Sequence, residues 1–490
     1  MSGVTAEEMR QIEARAFSRG VEAGTLMDRA GERMAAWLID HFPIAGRAMA
    51  FVGKGNNGGD ALVVLEHLRR AGWSVGYRMS HPAWETSVLS RQRQRRLGLD
   101  PRDEVPSGSG PLVLLDGLLG IGASGALREP LASLAGDMAA LREHRGGQLV
   151  AIDLPSGFDA DGGGHGDVVA DVTLTLGMPK AGMFADGAVD YCGRIGWVVL
   201  EDLTDFQAAR EGTTLASPAI FSSWLPPRAH SAHKGDAGRV SILAGSPGMG
   251  GAGVLCSEAC LRSGAGLVRL FQDPADPARA AAEVMAVQSG RRVPDWLESD
   301  ANVLVAGPGL GPLDDASRAA FFDALAADAR PMLLDADALN LIAAHERGDL
   351  LAARHVVTPH PGEFARLAPD LAGWPRIEAA RAFVERYPCT LLLKGARTVV
   401  VSPERPVVLN PCGHAGMATG GQGDVLAGVI GGLLAGGGGA HEAAALGAWL
   451  CGRAAERAVT HGGESVESCL ARDTVAHLGG AFHDWRSGCR

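Results

Sequence analysis

Short apolar runs alternate with helical patterns along almost the whole chain. In the first half, each apolar run leads into a loop: AMAFVGKG, PLVLLDGLLG, QLVAIDLPSG and ADVTLTLG, with helical patterns such as ALVVLEHLRRAG between them. The second half repeats this arrangement in RVSILAGS, GLVRLF, ANVLVAGPGLG, PMLLDADALN, HVVTPHPGE, CTLLLKG and TVVVS. Strands that alternate with helices are typical of parallel βαβ units. The pattern therefore predicts an α/β protein built on parallel sheets.

The alternation is interrupted once, after the apolar run WVVLED. The segment TDFQAAREGTTLASPAI has no strand–helix repeat, and we predict an interdomain linker at residues 206–222. A chain of 490 residues is also too long for one ordinary core. We therefore expect one domain over residues 1–205 and a separate α/β domain over residues 223–490.

Composition and charge restrict the class of partner. Hydrophobic residues make up 46% of the chain and charged residues 21%, which is typical of a globular protein. The 45 Lys and Arg residues against 56 Asp and Glu residues give a net charge of −11. This balance argues against nucleic acid or an anionic membrane as a partner. The basic hexapeptide Arg91–Arg96 is most simply interpreted as a solvated helix face.

No segment has the pattern of a targeting or membrane-spanning element. The start, MSGVTAEEMRQIEARAF, is typical of a charged amphipathic helix and not of a signal peptide. The glycine-rich run at residues 425–440 is too short to span a bilayer comfortably, and we predict a buried helix and its loop. Cys256 and Cys260 fit a buried apolar helix face better than a metal site. We expect a cytoplasmic protein; the oligomeric state, including a homo-oligomer, stays open.

Glycine and oxygen-bearing side chains cluster where three strands of the first half end. The segment Gly53–Asp60 follows a strand and precedes a helix, so its backbone N–H groups can approach a phosphate. Asp116 and Asp153 stand at the ends of two further strands, and Ser156 follows Asp153 closely. A single aspartate there is often a helix cap or turn former. Because the carboxyl ends of parallel strands meet at one edge of the sheet, three such loops predict a binding site.

A second cluster lies in the second half, around the helix that opens at GGQGDVLAG. Its glycines expose backbone N–H groups to developing negative charge, and the helix dipole adds to the field. Asp424 has two interpretations there, a capping carboxylate or a general base, and the glycine-rich loop favours the base. Lys394 follows the strand CTLLL and His360 lies in the rigid sequence TPHPGE. These features favour a phosphoryl-transfer site, whereas His230 and His233 lack such support.

The motifs of the first half resemble a known family. GKGNNGGDALVV, LLDGLLGIGASG and AIDLPSGFDADGG are similar to three signatures of the NAD(P)HX epimerases, over about residues 1–205. The resemblance implies a Rossmann-like domain and a potassium ion held by Asn57, Asp116 and Ser156. It places Asp153 beside the reacting ring as a proton-transfer residue. The substrate contacts that it implies are Asp153 and two loops, Asn56, Asn57, Gly58, Gly59 and Asp60, and Gly120, Ile121, Gly122, Ala123, Ser124, Gly125 and Ala126. Ala61 stands where Gly is common.

Six motifs of the second half resemble the ADP-dependent NAD(P)HX dehydratases, which have a ribokinase-like fold. HKGDAGRVSILAGSPGMGGAG, VAGPGLG, LLDADALN, TPHPGEF, LLLKGART and GGQGDVLAG occur in that order over residues 223–490. The resemblance implies dehydration of S-NAD(P)HX to NAD(P)H with conversion of ADP to AMP and phosphate. Because phosphoryl transfer normally needs a divalent cation, we also expect Mg²⁺, with ligands that the sequence does not identify. The implied substrate contacts are Ala252, Gly309, His360 and Asp424. The implied nucleotide contacts are Lys394, Gly395, Ala396, Arg397, Thr398 and Gly423. Gln422 stands where Thr or Ser is common.

Two alternatives of different classes stay open. The second domain fits an ordinary ribokinase-like kinase of a small metabolite, although the TPHPGE and KGART motifs disfavour it. The first domain fits a binding or scaffold module, although the presence of Asn57, Asp116, Asp153 and Ser156 together disfavours that. Restoration of NADH fluorescence from hydrated NADH separates repair from both alternatives. The sequence leaves open whether the nucleotide is ADP or ATP, and whether hydrated NADH or NADPH is preferred.

Overall fold

The computed structural model describes residues 3–122, 125–273, 280–287 and 292–488, in two units that meet between Ile220 and Phe221. The strands of the first unit are β1 (Arg47–Val52), β2 (Ser74–Met79), β3 (Leu112–Gly117), β4 (Gln148–Ile152), β5 (Val172–Leu176), β6 (Arg194–Val198) and β7 (Thr213–Leu215). Its helices are α1 (Ala6–Ser18), α2 (Ala23–His41), α3 (Asn56–Arg70), α4 (Val88–Leu97), α5 (Leu131–Arg145), α6 (Val189–Cys192), α7 (Phe206–Glu211) and α8 (Pro218–Phe221).

The first unit has a parallel sheet of six strands in the order β2-β1-β3-β4-β5-β6. The strands are buried on both faces, and Met49, Phe51 and Leu114 lie in the main apolar core. The strand order reverses at β1, which pairs with both β2 and β3. Ligands of open parallel sheets bind beside such a reversal, beyond the carboxyl ends of the strands. The loops that follow β1 and β3 therefore lie at the expected position for a site.

Helix α3, which begins in the first glycine-rich loop, is held in place by close packing on α2. A Cβ atom at Gly31 of α2 would lie 2.4 Å from Cβ of Val63 in α3, so only glycine allows the two helices to approach this closely. On its other side, α4 is joined to α2 and α3 by arginines. Arg93 forms a salt bridge with Asp28 at 2.9 Å, and Arg96 pairs with Asp28 and Glu66. The prediction that this basic segment is a solvated face is wrong for Arg93, whose side chain is 11% exposed, whereas Arg96 remains exposed while it forms its salt bridges.

The predicted linker at residues 206–222 contains the boundary between the units and also contains regular structure. Helix α7 is capped by Asp205, whose side chain accepts hydrogen bonds from Gln207 N and Ala208 N at 3.1 and 3.0 Å. Strand β7 is buried, and α8 follows it. These elements are three to six residues long, which is too short to leave a periodic pattern in the sequence.

The second unit has strands β8 (Arg239–Leu243), β9 (Leu267–Phe271), β10 (Met285–Val287), β11 (Val303–Ala306), β12 (Met332–Leu334), β13 (His355–Val357), β14 (Thr390–Leu393), β15 (Val399–Val401) and β16 (Val407–Leu409). Its helices are α9 (Gly250–Arg262), α10 (Arg292–Leu297), α11 (Asp315–Ala327), α12 (Ala336–Ala344), α13 (Pro361–Leu367), α14 (Arg376–Arg386), α15 (Gln422–Ala435), α16 (Ala440–Thr460) and α17 (Ala471–Arg486).

The strands of the second unit lie in the order β10-β9-β8-β11-β12-β13-β14-β15-β16. Pairing is parallel from β10 to β14 and antiparallel at β15 and β16. The loops after β8, β11, β12, β13 and β14 therefore open at one edge of the sheet. The prediction of two α/β domains is confirmed, with a parallel sheet in the first unit and a mostly parallel sheet with two antiparallel strands in the second.

The glycine-rich run near residue 425 forms a buried helix, as predicted. Residues Val425–Ala435 of α15 are buried, and a Cβ atom at Gly428 would lie 2.1 Å from the Cys256 carbonyl oxygen of α9. Cys256 and Cys260 are buried in α9, which confirms their apolar interpretation. Within the described ranges, no helix combines the length and apolar character that a membrane span needs.

Candidate active sites

Asp116 is the centre of the site in the first unit. It lies at the end of β3 with 0% of its surface exposed. Its carboxylate accepts hydrogen bonds from Ser156 N and Ser156 Oγ, both at 2.7 Å, and from Leu118 N at 3.2 Å. Burial raises the pKa of Asp116 to about 6, and these hydrogen bonds oppose the rise. Among the described residues, no cationic side chain forms a salt bridge with it, so its charge is met only by neutral donors.

Two further loops meet Asp116 through the backbone of Leu119. Asn57 Nδ2 donates to the Leu119 carbonyl oxygen at 2.9 Å, and Leu119 N donates to Ser156 Oγ at 2.9 Å. The structure thus brings together Asn57, Asp116 and Ser156, the three predicted ion ligands. Their amide, carboxylate and hydroxyl oxygens are the kind of donors that a hard cation prefers. Because the set contains a single carboxylate, it favours a monovalent cation over a divalent one.

In the glycine-rich segment at the start of α3, the backbone lies so close to neighbouring backbone atoms that a side chain does not fit at two positions. A Cβ atom at Gly53 would lie 1.8 Å from the Leu118 carbonyl oxygen, and one at Gly58 would lie 2.4 Å from the Gly53 carbonyl oxygen. Helix α3 starts at Asn56 after Gly55, without a side-chain cap among the described residues. Its first N–H groups therefore stay available to an anion such as a phosphate.

In the second predicted substrate loop, residues 120–126, Gly120 lies against the cluster formed by Asn57, Asp116 and Ser156. A Cβ atom at Gly120 would lie 3.3 Å from Asn57 Oδ1, so Gly120 packs against the predicted ion ligand. The Ile121 carbonyl oxygen accepts a hydrogen bond from Arg10 at 3.2 Å. Gly122 and Gly125 have open space where a side chain would be. Of the other predicted contacts, Ala123 and Ser124 lie outside the described residues, and Ala126 follows Gly125.

Asp153 is paired with a lysine that sequence reasoning missed. Asp153 follows β4 with a φ of 67°, a conformation that non-glycine residues rarely adopt. Its Oδ1 accepts a hydrogen bond from Leu176 N at 3.0 Å and forms a salt bridge with Lys180. Lys180 is only 1% exposed. One signal was available, since the chain has only four lysines among its 45 basic residues, and Lys180 follows the apolar run TLTLGMP.

Lys394 is the centre of the site in the second unit. Its Nζ lies 2.7 Å from Asp335 Oδ1, at the end of β12, and 3.6 Å from Glu363 Oε2, in α13. A Cβ atom at Gly423 would lie 3.5 Å from the same Nζ atom. The loops after β12, β13 and β14 and the first turn of α15 therefore meet at one ammonium group. Asp335 and Glu363 were not predicted as site residues.

Asp424 lies in the first turn of α15, next to this cluster. Burial is the largest influence on its carboxyl and raises the pKa of Asp424 to about 6, with a further rise from Asp335 and Asp337 and an opposing effect of Lys394. Within the described part of the chain, its carboxylate makes no hydrogen bond that would cap the helix. A carboxylate with a pKa near neutrality and free lone pairs is suited to accept a proton.

Three other predicted substrate contacts line the same sheet edge. Gly309 has a φ of 54°, and a Cβ atom there would lie 3.1 Å from Cβ of Ala252, so these two residues are adjacent. His360 begins α13, where its Nδ1 accepts a hydrogen bond from Gly362 N at 3.0 Å. Its Nε2 lies 3.4 Å from Glu363 Oε1, which connects it to the Lys394 cluster. His360 thus combines a helix-capping role with a position near the cluster.

The predicted nucleotide loop after β14 is divided between exposed and buried residues. Gly395 and Ala396 are exposed, whereas the side chains of Arg397 and Thr398 are buried. Thr398 Oγ1 donates to the Gly395 carbonyl oxygen at 3.1 Å. Arg376 of α14, which sequence reasoning missed, donates to the carbonyl oxygens of Leu393 and Lys394 at 3.1 and 3.0 Å. Arg376 therefore fixes the backbone that carries Lys394.

Gln422, the first residue of α15, has a half-satisfied amide. Its Oε1 accepts a hydrogen bond from Thr474 Oγ1 of α17 at 3.1 Å. Its Nε2 is buried and has no hydrogen-bond partner among the described residues. Within the described ranges, no group of three or more His, Cys, Asp or Glu side chains is arranged so that it could hold a metal ion. Protein ligands of a divalent cation are therefore not identified in this unit.

Comparisons with known proteins match both halves. A family model described as NAD(P)H-hydrate dehydratase matches residues 240–477, and one described as YjeF-related protein N-terminus matches residues 23–182. The bifunctional NAD(P)H-hydrate repair enzyme Nnr of Coxiella burnetii is 34% identical over 96% of this chain and 97% of its own length. That of Escherichia coli is 35% identical over 88% of this chain and 84% of its own. A solved structure titled ADP/ATP-dependent NAD(P)H-hydrate dehydratase from Bacillus subtilis, co-crystallized with ATP/Mg²⁺, is 28% identical, covers 55% of this chain and 98% of its own, and has a TM-score of 0.48.

Proposed function

Because the chain belongs to the family of bifunctional NAD(P)H-hydrate repair enzymes, we propose that its two sites carry the two steps of this repair. The site around Asp116 and Asp153, in residues 1–205, interconverts the R and S epimers of hydrated NADH and NADPH. The site around Lys394 and Asp424, in residues 223–490, dehydrates the S epimer and uses ADP. Both substrates are small molecules. The epimerase step prevents the R form from accumulating as a dead end.

Asp424 is the general base of the dehydratase. Hydration places a hydroxyl group on C6 of the nicotinamide ring, and hydroxide is a poor leaving group. Asp424 takes the hydroxyl proton while the terminal phosphoryl group of ADP passes to the oxygen, which leaves AMP. Phosphate then leaves from C6 with the electron pair of the C6–O bond, and a proton passes from C5 to the departing phosphate, so that the C5–H electron pair forms the C5–C6 double bond. The observation that carries this assignment is a carboxylate with a pKa of about 6 that stands, without a hydrogen bond of its own among the described residues, beside Lys394 and the first turn of α15.

Lys394 and the first N–H groups of α15 bind the phosphates of the nucleotide. Their charges and dipoles point to an anion, and Gly423 allows the two elements to approach. Mg²⁺ supplies charge neutralisation during phosphoryl transfer. Asp335 and Glu363 are already committed to Lys394, so we assign most of the Mg²⁺ ligands to phosphate oxygens and water, which this ion retains readily. Ala252, Gly309 and His360 line the place of the hydrated ring.

In the epimerase, Asn57, Asp116 and Ser156 hold a potassium ion. The donor set fits this ion, because it offers three kinds of oxygen around one buried carboxylate that otherwise has only neutral donors. The ion balances the charge of Asp116 and keeps the loops after β1, β3 and β4 in register. The N–H groups at the start of α3 bind a phosphate of the substrate, and Asp153 moves a proton at the reacting ring.

A panel of nucleotides tests the whole proposal. Purified protein is mixed with both epimers of hydrated NADH, and NADH fluorescence, epimer ratio and nucleotide products are followed. We expect interconversion of the epimers without nucleotide. With ADP we expect complete return of NADH, with one AMP and one phosphate for each NADH. A stable phosphorylated product without NADH would identify an ordinary kinase, and a clear preference for ATP would overturn the ADP assignment alone.

A further inference from the structure

Three carboxylates and a single lysine meet at the end of β4 in the first unit. Asp153 and Lys180 form the buried salt bridge described above. Glu13 of α1 and Asp60 of α3 lie near enough to Asp153 for its charge to act on both carboxyls. The charge of Arg10 acts on Glu13 and that of Arg93 acts on Asp60, and Arg93 also forms a salt bridge with Asp28. The repair reaction as described so far uses only Asp153 from this cluster as a proton carrier.

The hydrogen bonds of Lys180 leave it no donor for a substrate. Its ammonium group donates to Asp153 Oδ1, to Thr175 Oγ1 at 3.2 Å and to the Leu176 carbonyl oxygen at 2.9 Å. An ammonium group has three N–H donors, and all three are used. Lys180 is also almost fully buried. It therefore acts on the reaction only through Asp153, whose position it fixes.

The position of Asp153 is fixed on its other side by the backbone. Leu176 N donates to the same Oδ1 atom at 3.0 Å, and Asp153 adopts the uncommon φ of 67° that turns the chain out of β4. A non-glycine residue keeps such a conformation only where its surroundings hold it, and such residues cluster at functional sites. The Oδ2 atom of Asp153 makes no hydrogen bond within the described ranges. The Oδ1 atom of Asp153 thus accepts hydrogen bonds from Lys180 and Leu176, and its Oδ2 atom is available to a substrate.

One lysine cannot balance the charge of three carboxylates, and the surroundings of Asp60 and Glu13 favour their protonated forms. Burial raises the pKa of Asp60 well above its usual range, and the charges of Asp153 and Glu13 add to the rise, against Arg93. Burial and Asp153 likewise raise the pKa of Glu13, against Lys180 and Arg10. Asp153 differs from these two carboxyls in its salt bridge with Lys180. A carboxylate paired with an ammonium group, beside a carboxyl whose surroundings favour protonation, is a natural base and acid pair.

We propose that Asp153 is the base and Asp60 the acid of the epimerisation, and that Lys180 is the positioning residue that determines which carboxyl takes which role. This inference rests on the proposed epimerase function of the first unit. Asp60 lies in the second turn of α3, which follows β1, whereas Asp153 follows β4, and both strands belong to one parallel sheet. The two carboxyls therefore stand on two different elements near the sheet edge where we place the substrate.

The reaction step is balanced without a further reagent. The Asp153 carboxylate accepts the proton of the C6 hydroxyl group, and the C6–O bond becomes a carbonyl. The C6–N1 bond breaks, its electron pair moves to N1, and N1 takes the proton of Asp60. Rotation about the C5–C6 bond presents the other carbonyl face. Reclosure reverses each transfer: N1 returns a proton to Asp60, its electron pair attacks C6, and Asp153 returns a proton to the oxygen.

The first test is the pH dependence of epimerisation in the full-length protein. R-epimer hydrated NADH is incubated without nucleotide, and the approach to the epimer equilibrium is followed by chromatography from pH 5 to pH 9. Loss of an opposite charge at this distance raises a carboxyl pKa by about 1–3 units. In Lys180→Met we therefore expect the acid limb of kcat/KM to move up by about 1–3 pH units, with activity recovered at higher pH. Lys234→Met, an exposed lysine of the second unit, is the matched control and keeps the wild-type profile.

A uniformly lower rate with an unchanged pH profile would overturn the role of Lys180, because a purely structural lysine would act in that way. If Lys180→Met fails to fold, Lys180→Gln retains a donor for Asp153 without charge and gives the same readout. Folding of each variant is checked by thermal melting and by ADP-dependent dehydration of the S epimer, which occurs in the second unit. A wild-type protein that does not epimerise would instead refute the proposed function itself.

The second test separates the two candidate acids. Loss of a positioned acid reduces the rate by about 10²–10⁴-fold, and we expect this loss in Asp60→Asn at every pH. Glu13→Gln, which removes the other protonated carboxyl, is the matched control and should retain most of the activity. The opposite result, an active Asp60→Asn and an inactive Glu13→Gln, would overturn the assignment of the acid.

Discussion

Each unit buries an aspartate at the end of a parallel strand, Asp116 after β3 and Asp335 after β12. Asp335 is 1% exposed and lies 2.7 Å from the ammonium group of Lys394. Asp116 is fully buried, but its partners are a hydroxyl group and two backbone N–H groups. A buried carboxylate is costly unless its charge is balanced. In the second unit Lys394 supplies this balance, whereas among the described residues of the first unit no cationic side chain forms a salt bridge with Asp116.

The difference corresponds to the ligand that each site is proposed to bind. In the second unit, the ammonium group of Lys394 neutralises Asp335, and the same group can also attract the phosphates of a nucleotide. A carboxylate with only neutral donors leaves a place for an exchangeable cation. In the first unit the lysine is placed elsewhere, on Asp153, where the proton transfer is proposed. The two sites thus use the same pair of residue types for different purposes.

Asp424→Asn is expected to have the largest effect. Removal of a general base reduces dehydration by at least about 10²-fold, while nucleotide still binds. In the wild-type protein kcat/KM for dehydration should fall below pH 6, because Asp424, whose pKa is about 6, is then protonated. Asp335→Asn removes one of the charges that raise this pKa, so it should move the limb to lower pH.

The same variant makes an independent prediction on stability. A folded-state pKa above the unfolded value means that ionisation of Asp424 destabilises the fold as the pH rises through about 6. Asp424→Asn should therefore raise the melting temperature at pH 8 and change it little at pH 4. Near-normal turnover, or no gain in melting temperature at pH 8, would contradict the description of Asp424 as a buried ionised base.

Lys394→Met tests the ammonium group built into the second unit. Removal of one partner from a buried ion pair costs about 3–5 kcal/mol, because the other charge stays buried. We expect a lower free energy of unfolding in denaturant titrations and weaker ADP binding in calorimetry. In the double variant Asp335→Asn with Lys394→Met, stability should return in part, because Glu363 still lacks its ammonium partner, but ADP binding should not return. Recovery of both would mean that Lys394 acts only as the partner of Asp335.

Much of this comparison could be predicted from the sequence, because it depends on strand ends. The apolar runs before Asp116, Asp153 and Lys394 predicted their strands, and the parallel arrangement then placed those residues at one edge of each sheet. The short motifs identified Asn57 and Ser156 by resemblance. All of these are local signals, which a single segment of chain carries.

The residues that sequence reasoning missed depend on contacts between distant segments. Lys180 reaches Asp153 across 27 positions, and Arg376 holds the backbone of Lys394 from a separate helix. The salt bridges of Arg93 connect α4 to α2, 65 positions away, and a run of basic residues does not indicate them. Strands β10 and β16 have only three residues each, too few to produce an alternation.

The cation in the first unit is expected to produce a smaller, additive effect. A ligand at ten times its dissociation constant stabilises the folded protein by about 1.4 kcal/mol. Potassium chloride, compared with an equal concentration of tetramethylammonium chloride, should raise the melting temperature of the full-length wild-type protein. In Asp116→Asn the increase should disappear and epimerisation should slow, whereas ADP-dependent dehydration of the S epimer is unchanged. An equal potassium effect in both proteins would remove Asp116 from the ligand set.

The smallest effect is expected at Gln422, the first residue of α15, whose side-chain amide has an N–H group that is not used among the described residues. Thr474 Oγ1 donates to Oε1 of Gln422, which leaves Nε2 buried and unpaired among the described residues. A buried polar group without a partner costs about 1–3 kcal/mol, and a phosphate oxygen at the start of α15 would supply the missing acceptor.

Gln422→Glu replaces this donor with a charged acceptor of the same shape, so KM for ADP should rise by about tenfold, equal to about 1.4 kcal/mol. Thr474→Val keeps the Nε2 donor of Gln422 and removes only the hydrogen bond that orients the amide. The KM for ADP should therefore rise less in this variant. A Gln422→Glu protein with the wild-type KM for ADP would mean that Nε2 points away from the nucleotide, and that the backbone N–H groups of α15 bind the phosphate alone.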